Sequence, residues 1–233
     1  MCQQRKQLCT FSLFTAAGFG SLVLMEQAVN DSGWRGSYEG WFDAAYASLL
    51  ESGVDSVKIL PLAKRLGLSR TSFYWFFKDR EALLDALMAR WRDTNTGNIV
   101  RQSEAYAETL VEAMLNVFDC WIDTSLFDAR FEFAVRSWAL QSPDIEAEVQ
   151  RADAARMAAL ARMFIRFGHD EVSADVRART TYLVQIGYIS MQAREDVALR
   201  MKRIPHYIAI FTGRDPEPRE LHRFYARHGY SEA

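Results

Sequence analysis

The residues best suited to chemistry lie in one run, Leu60–Arg80, LPLAKRLGLSRTSFYWFFKDR. Arg70 carries a planar donor fork that matches the edge of a guanine or grips a phosphate. Thr71 and Ser72 are short hydroxyl residues that suit either base edges or the nucleic-acid backbone. Tyr74 can donate its hydroxyl to a phosphate, and Trp75 can pack against a thymine methyl or a sugar. Lys78 and Arg80 are cations of the kind that anchor phosphates without reading sequence, and Lys58 just upstream is a further candidate anchor. Residues 58–80 hold six basic side chains against the single acid Asp79, a local charge of +5 on a chain of net −2, so the remainder carries −7. A basic patch on an otherwise acidic protein suits a defined site on a polyanion.

Other chemistries find no support. The chain has no GxSxG, no HExxH, no P-loop and no GxGxxG followed by a strand pattern, so the reading is of a non-enzyme. His169, His206, His222 and His228 have no metal-ligand partner one helical turn away, and neither a metal nor any cofactor is expected. The three cysteines, Cys2, Cys9 and Cys120, match no zinc spacing and are too few for a disulfide scaffold. A reducing cytoplasm is the expected compartment, and Cys120 reads as a small buried hydrophobe.

The elements that must position the basic run are helices. Ser37 is a candidate N-cap for a first helix ending at Gly53, with Trp41, Phe42, Ala45, Tyr46, Leu49 and Leu50 at helical spacing. Pro61 is tolerable only in a first turn, so a second helix begins near Leu60 and ends at Gly67, where positive φ is wanted. Ser69 caps a third helix over about Arg70–Phe76, whose Phe73 and Phe77 point inward together. Arg70, Thr71, Ser72, Tyr74 and Trp75 remain for the outer surface. Asp79 caps a fourth helix that the Asn95–Gly97–Asn98 group breaks. Further helices are expected over Ser103–Asp123, from Ser125 or Asp128 to Leu140, from Pro143 to about Phe167, over Glu171–Arg194, over Glu195–Phe211 with a kink or break at Pro205, and over Arg219–His228. No strand-like alternation and no internal repeat appears, so the fold class is all-α.

Two short helices joined by a glycine turn form the helix-turn-helix pattern. Ala44–Ala45, Gly53, Leu62–Ala63, Gly67–Leu68–Ser69, Phe73–Tyr74–Trp75, Phe77–Lys78 and Leu83–Leu84 give residues 37–88 a specific combination of motifs. In that combination the chain resembles the DNA-binding domain of the tetracycline-repressor (TetR/AcrR) family. The resemblance implies a three-helix DNA-binding domain over residues 34–80 and a helical ligand-binding and dimerisation domain over 81–233. It implies a ligand-responsive repressor that binds a pseudopalindromic operator as a homodimer through the last two long helices. It also implies that Tyr74 donates to a phosphate, as the matching tyrosine does in the family. Lys58 departs from the small hydroxyl residue usual near that position, and Phe76 from a frequent histidine, so one backbone contact is lost there or replaced by Lys78.

Family members bind small, often apolar effectors among the helices of the second domain. Phe118, Trp121, Phe127, Phe131, Trp138, Met157, Met163, Phe164 and Tyr182 are the side chains that could line such a pocket, and they suit a plain core equally. Residues 1–33 read as an unstructured or mis-started extension. Their apolar stretch Leu8–Met25 is broken by hydroxyl residues and glycines, so no membrane segment is expected. The alternative function is a helical small-molecule-binding or interaction protein with a vestigial DNA-binding headpiece.

Overall fold

Eleven α-helices follow one another between Tyr38 and Arg227 in the computed structural model, which describes residues 36–231. The expected N-terminal extension, 1–33, lies outside the described residues. Among the described residues there is no strand, and no helix is long and apolar enough to cross a membrane.

The headpiece starts with α1 (Tyr38–Ser52), whose N-cap Ser37 accepts from Gly40 N–H at 2.9 Å. A single 3₁₀ turn, Val54–Ser56, leads to α2 (Ile59–Leu66), with Pro61 in its first turn. Gly67 ends α2 at φ +66°, and Leu68 N–H reaches back to Ala63 C=O at 2.9 Å. That left-handed step turns the chain into α3 (Arg70–Phe73), and only glycine takes it without strain. The regular part of α3 is shorter than the Arg70–Phe76 expected: Tyr74, Trp75 and Phe76 continue it as tight turns bonded to the third residue back. Phe73 is fully buried edge-on to Trp41 at 5.2 Å and packs on Phe77.

Helix α4 (Arg80–Trp91) begins at Asp79, whose carboxylate accepts from Ala82 N–H. The expected break at Asn95–Gly97–Asn98 does not occur. Residues Arg92–Gly97 widen into a π-helical turn and run directly into α5 (Asn98–Glu104). The asparagines are used as clamps. Buried Asn95 donates to Asp128 C=O and accepts from Asp128 N–H, both at 3.0 Å, and Asn98 donates to Leu126 C=O at 2.8 Å. Those bonds hold what local propensity would have released.

The chain breaks instead between Glu104 and Thr109, inside the stretch expected as one helix. Thr109 caps α6 (Leu110–Ile122) by accepting from Glu112 N–H, and Glu112 accepts in turn from Glu108 N–H. Then come α7 (Ala129–Ala139), capped by Asp128, and α8 (Pro143–Arg166). Helix α9 (Glu171–Ser190) ends four residues before the expected Arg194, where Gln192 takes φ +50°.

Helix α10 (Val197–Thr212) runs unbroken through Pro205. The proline leaves the Met201 carbonyl without its helical donor, and the Tyr225 hydroxyl donates to that oxygen at 3.3 Å. Tyr225 comes from α11 (Pro218–Arg227), which is laced to α6 by Glu220 with Thr109, Arg223 with Glu112, and Arg227 with Asp119.

Two apolar cores result. One lies among α5, α6, α8, α9, α10 and α11 around Leu110, Met114, Phe164 and Ile208. The other fills the headpiece and extends through Leu87 and Trp91 to Phe131 and Val135 of α7 and Val149 and Ala152 of α8. The headpiece therefore shares its core with the helices that follow it. Cys120 is buried in the first core, and burial, helped by neighbouring Asp119, pushes its thiol up to about 12.

Candidate nucleic-acid interface

The turn at Gly67 fixes which side chains of the helix-turn-helix point out. Ser69, Arg70, Thr71 and Lys78 are exposed, with Tyr74 and Trp75 standing open at 48% and 63%. Arg70 Nη2 donates to the Tyr74 hydroxyl at 3.2 Å, one helical turn away, which aligns a cation and a phenol on one face. Lys58 is exposed at the start of α2. Leu60 beside it is also exposed, so the face mixes cationic, hydroxyl and apolar contacts.

Two expected members of the site are placed otherwise. Ser72 is buried, not on the outer surface: its hydroxyl donates to Ser69 C=O at 2.7 Å and its N–H is capped by Ser69 Oγ at 3.3 Å. It shares the inner side of the short helix with Phe73 and helps close the turn. Arg80, expected as a phosphate anchor, points into the fold. Its Nε donates to Val57 C=O at 2.6 Å and its Nη2 to Val54 C=O at 2.9 Å. A guanidinium so engaged holds the 3₁₀ turn between α1 and α2 in place. Arg65 is likewise occupied, in a two-bond pair with Glu51 at 2.8 Å each; that hydrogen-bonded pairing holds the Glu51 carboxyl below its usual range. The basic character of the outer face thus comes from Lys58, Lys64, Arg70 and Lys78.

Residues 42–87 match the model of the bacterial regulatory proteins of the tetR family. The Escherichia coli class A tetracycline repressor from transposon 1721 is 36% identical over 69 residues, 29% of this chain and 32% of its own length. The E. coli class D tetracycline repressor is 43% identical over 49 residues, 21% and 22% of the two chains. The tetR-family likeness in sequence is carried by residues 42–87. The aligned part spans between about a fifth and a third of those relatives' length. Over most of the chain the likeness to solved structures is one of fold. A fatty acid degradation regulator from Bacillus halodurans superposes with a TM-score of 0.56 at 12% identity, covering 77% of this chain and 97% of its own. A TetR-family transcriptional regulator from Mesorhizobium loti does so at 0.51 and 15% identity, covering 82% and 95%.

The headpiece is tied to the following helices by a continuous polar chain that sequence reading missed. Tyr46 of α1 donates to the Asp128 carboxylate, Asp128 exchanges bonds with Asn95, and Asn95 donates to Glu132 at 3.0 Å. Glu132 also accepts from Trp91 Nε1 at 2.8 Å and from Arg156 at 2.7 and 3.1 Å. Arg156 donates onward to the Tyr182 hydroxyl of α9 at 2.8 Å and to Thr96 at 2.9 Å. Burial pushes the Glu132 carboxyl up, yet the Arg156 guanidinium beside it outweighs that and holds it below the ordinary carboxylate range.

The nine side chains expected around an effector are not brought into one pocket. Phe131 belongs to the headpiece core and Trp138 packs against it, whereas Phe127, Met163 and Phe164 fill the other core and Met157 packs against that one. The Tyr182 hydroxyl is committed to Arg156 and Asp153. Phe118 and Trp121 alone line a cavity, between α6, α9 and α10, with Thr181, Gln185, Tyr188 and Tyr207 opposite. Thr181, Gln185 and Tyr188 recur at helical spacing as a polar stripe on the apolar second half of α9, which is the signal that could have located it. Among the described residues no cluster of histidine, cysteine and carboxylate side chains could hold a metal ion.

Proposed function

We propose that this chain is a cytoplasmic transcriptional regulator, not an enzyme, and that it represses by binding a pseudopalindromic operator as a homodimer until a small molecule releases it. The observation that carries the reading is the outer face of the helix-turn-helix. Lys58, Arg70, Thr71, Tyr74 and Lys78 share an exposed surface set by the Gly67 turn, and that surface has the cation, hydroxyl and phenol donors that phosphate and base-edge contacts need. Ser69 and Trp75 border it. The matched relatives are named tetracycline repressors, which supports repression as the mode of action. Residues 34–80 act as the DNA-binding domain and 81–233 as the regulatory and dimerisation domain.

Dimerisation through the last two long helices is supported by apolar side chains they leave exposed, Val172, Val176 and Leu183 on α9 and Ile210 on α10. A two-fold pairing would cover them and would space two recognition helices for successive major grooves. The test is a gel shift of the full chain on the DNA upstream of its own gene, with light scattering for mass. A retarded band from a dimer, competed by the same DNA and not by bulk DNA, is the expected result. A monomer, or no preference for that DNA, sinks the reading and favours a helical binding protein with a vestigial headpiece.

A further inference from the structure

The cavity between α6, α9 and α10 holds more hydrogen-bond donors than acceptors. Trp121 and Thr181 both line it, and their Nε1 and Oγ1 atoms are buried with no hydrogen-bond partner among the described residues. Trp121 exposes 7% of its surface and Thr181 none. An indole N–H can only donate, and buried polar atoms are nearly always satisfied. Tyr188 and Tyr207 on the same wall share one hydroxyl–hydroxyl bond of 2.7 Å, so whichever oxygen accepts keeps its own proton uncommitted. The single carboxylate there, Glu195, is taken by Arg203. Arg200 lines the cavity too, and its side chain makes no ion pair or hydrogen bond among the described residues.

The cavity is narrow, about 30 Å³, room for about two waters. It adjoins a groove of about 630 Å³, and Gln185, Tyr188, Glu195 and Arg200 line both. The groove adds Phe133 and Ile189 as apolar wall and two more arginines, Arg130 and Arg194, without adding a carboxylate. Neither arginine side chain makes an ion pair or hydrogen bond among the described residues. The combined site is therefore apolar, donor-rich inside and cationic at the junction.

We infer that it binds an anionic amphiphile, with one oxygen of the anionic head on Trp121 Nε1 and Thr181 Oγ1, another on Arg200, and the apolar body along Phe118 and Phe133. The inference rests on the reading of the chain as ligand-responsive. Occupation requires the inner walls to part, so the affinity is lowered by the rarity of the open form and binding holds that form open.

The probes are octanoate, octyl phosphate, 1-octanol and octylamine, titrated into the full chain by calorimetry and thermal shift. Both anions should bind and raise Tm, 1-octanol should bind at least about tenfold more weakly, and octylamine should not bind. Thr181→Val and Trp121→Phe should each weaken the anions about tenfold. Arg200→Gln should erase most of the preference for octanoate over 1-octanol. Thr181→Val is near-isosteric and decides the matter if Trp121→Phe does not fold. Equal binding of 1-octanol or octylamine, no binding of either anion, or undiminished binding by Thr181→Val overturns the assignment. A parallel gel shift separates the two readings. Anion binding without DNA release leaves the site standing and removes the ligand response; DNA binding intact with no anion binding removes the site alone.

Discussion

Arg156 and Glu132 form a two-bond ion pair, 2.7 and 3.1 Å, in which neither side chain exposes any surface. It joins α8 to α7 beneath Trp91 of α4, where the headpiece core continues into the helical body. Such a pair contributes little net stability while intact, but removing one partner leaves a buried charge uncompensated. Arg156→Met should therefore lower unfolding free energy by about 3–5 kcal/mol, read from urea melts. Adding Glu132→Leu should recover part of that loss, and full independence of the two changes would contradict the pairing.

The same carboxylate sets a pH dependence. Its folded-state pKa lies below the unfolded one, so between the two values the unfolded chain binds more protons and stability rises with pH. The contribution is complete above the ordinary glutamate value, about 4.3, and is lost as pH falls through the folded value. The stability gap between the parent chain and Glu132→Gln should be flat from neutral pH to about 5 and narrow below that range. A gap that widens on acidification would reverse the sign.

On the headpiece, reading and folding are separable. Arg70→Ala should lose about 1–3 kcal/mol of discrimination at particular base pairs. Lys78→Ala should weaken all sequences alike and lower the salt slope by about 1. Arg80→Ala should instead cost about 1–3 kcal/mol of stability, through the two carbonyls it leaves, with the salt slope of the folded fraction unchanged. A reduced slope without lost stability would make Arg80 a phosphate anchor after all.

Pro205 and Tyr225 make a compensated pair. Tyr225→Phe should cost about 1 kcal/mol, because the Met201 carbonyl then has neither its helical donor nor the phenol. With Pro205→Ala in place, an N–H becomes available to the same oxygen and the cost of Tyr225→Phe should shrink. A double-mutant cycle with no coupling would show that the long 3.3 Å bond carries no weight.

The helical order was readable because caps and stops are local. Ser37, Asp79, Asp128, Ser142–Pro143 and Gly213 are chemical signals that act within a few residues, and each marks a boundary in the structure. What failed to show was non-local. Asn95 and Asn98 read as helix breakers until Asp128 and Leu126, some thirty residues on, supply their partners. Arg80 reads as a surface donor because nothing nearby in sequence reveals the carbonyls of Val57 and Val54 that it meets. The aromatic residues gave no pocket because aromatic composition is the same in a core and around a cavity; an unpartnered Trp41 Nε1 sits in the headpiece core, whereas Trp121 and Thr181 line a cavity. The break at Glu104–Thr109 was legible in principle, from the Thr109 and Glu112 spacing of a capping box.

The wide turn at Arg92–Gly97 acts as a phase setting. Each residue of an α-helix advances the chain by about 100°, and a π turn holds one residue beyond the regular winding. Everything before it, including Arg70 and Tyr74, is therefore clocked against everything after it by a single-residue offset. Deleting one residue there would straighten the winding and re-aim the exposed face of the helix-turn-helix without altering any side chain on it. The spacing of protected half-sites in a footprint would register that change directly.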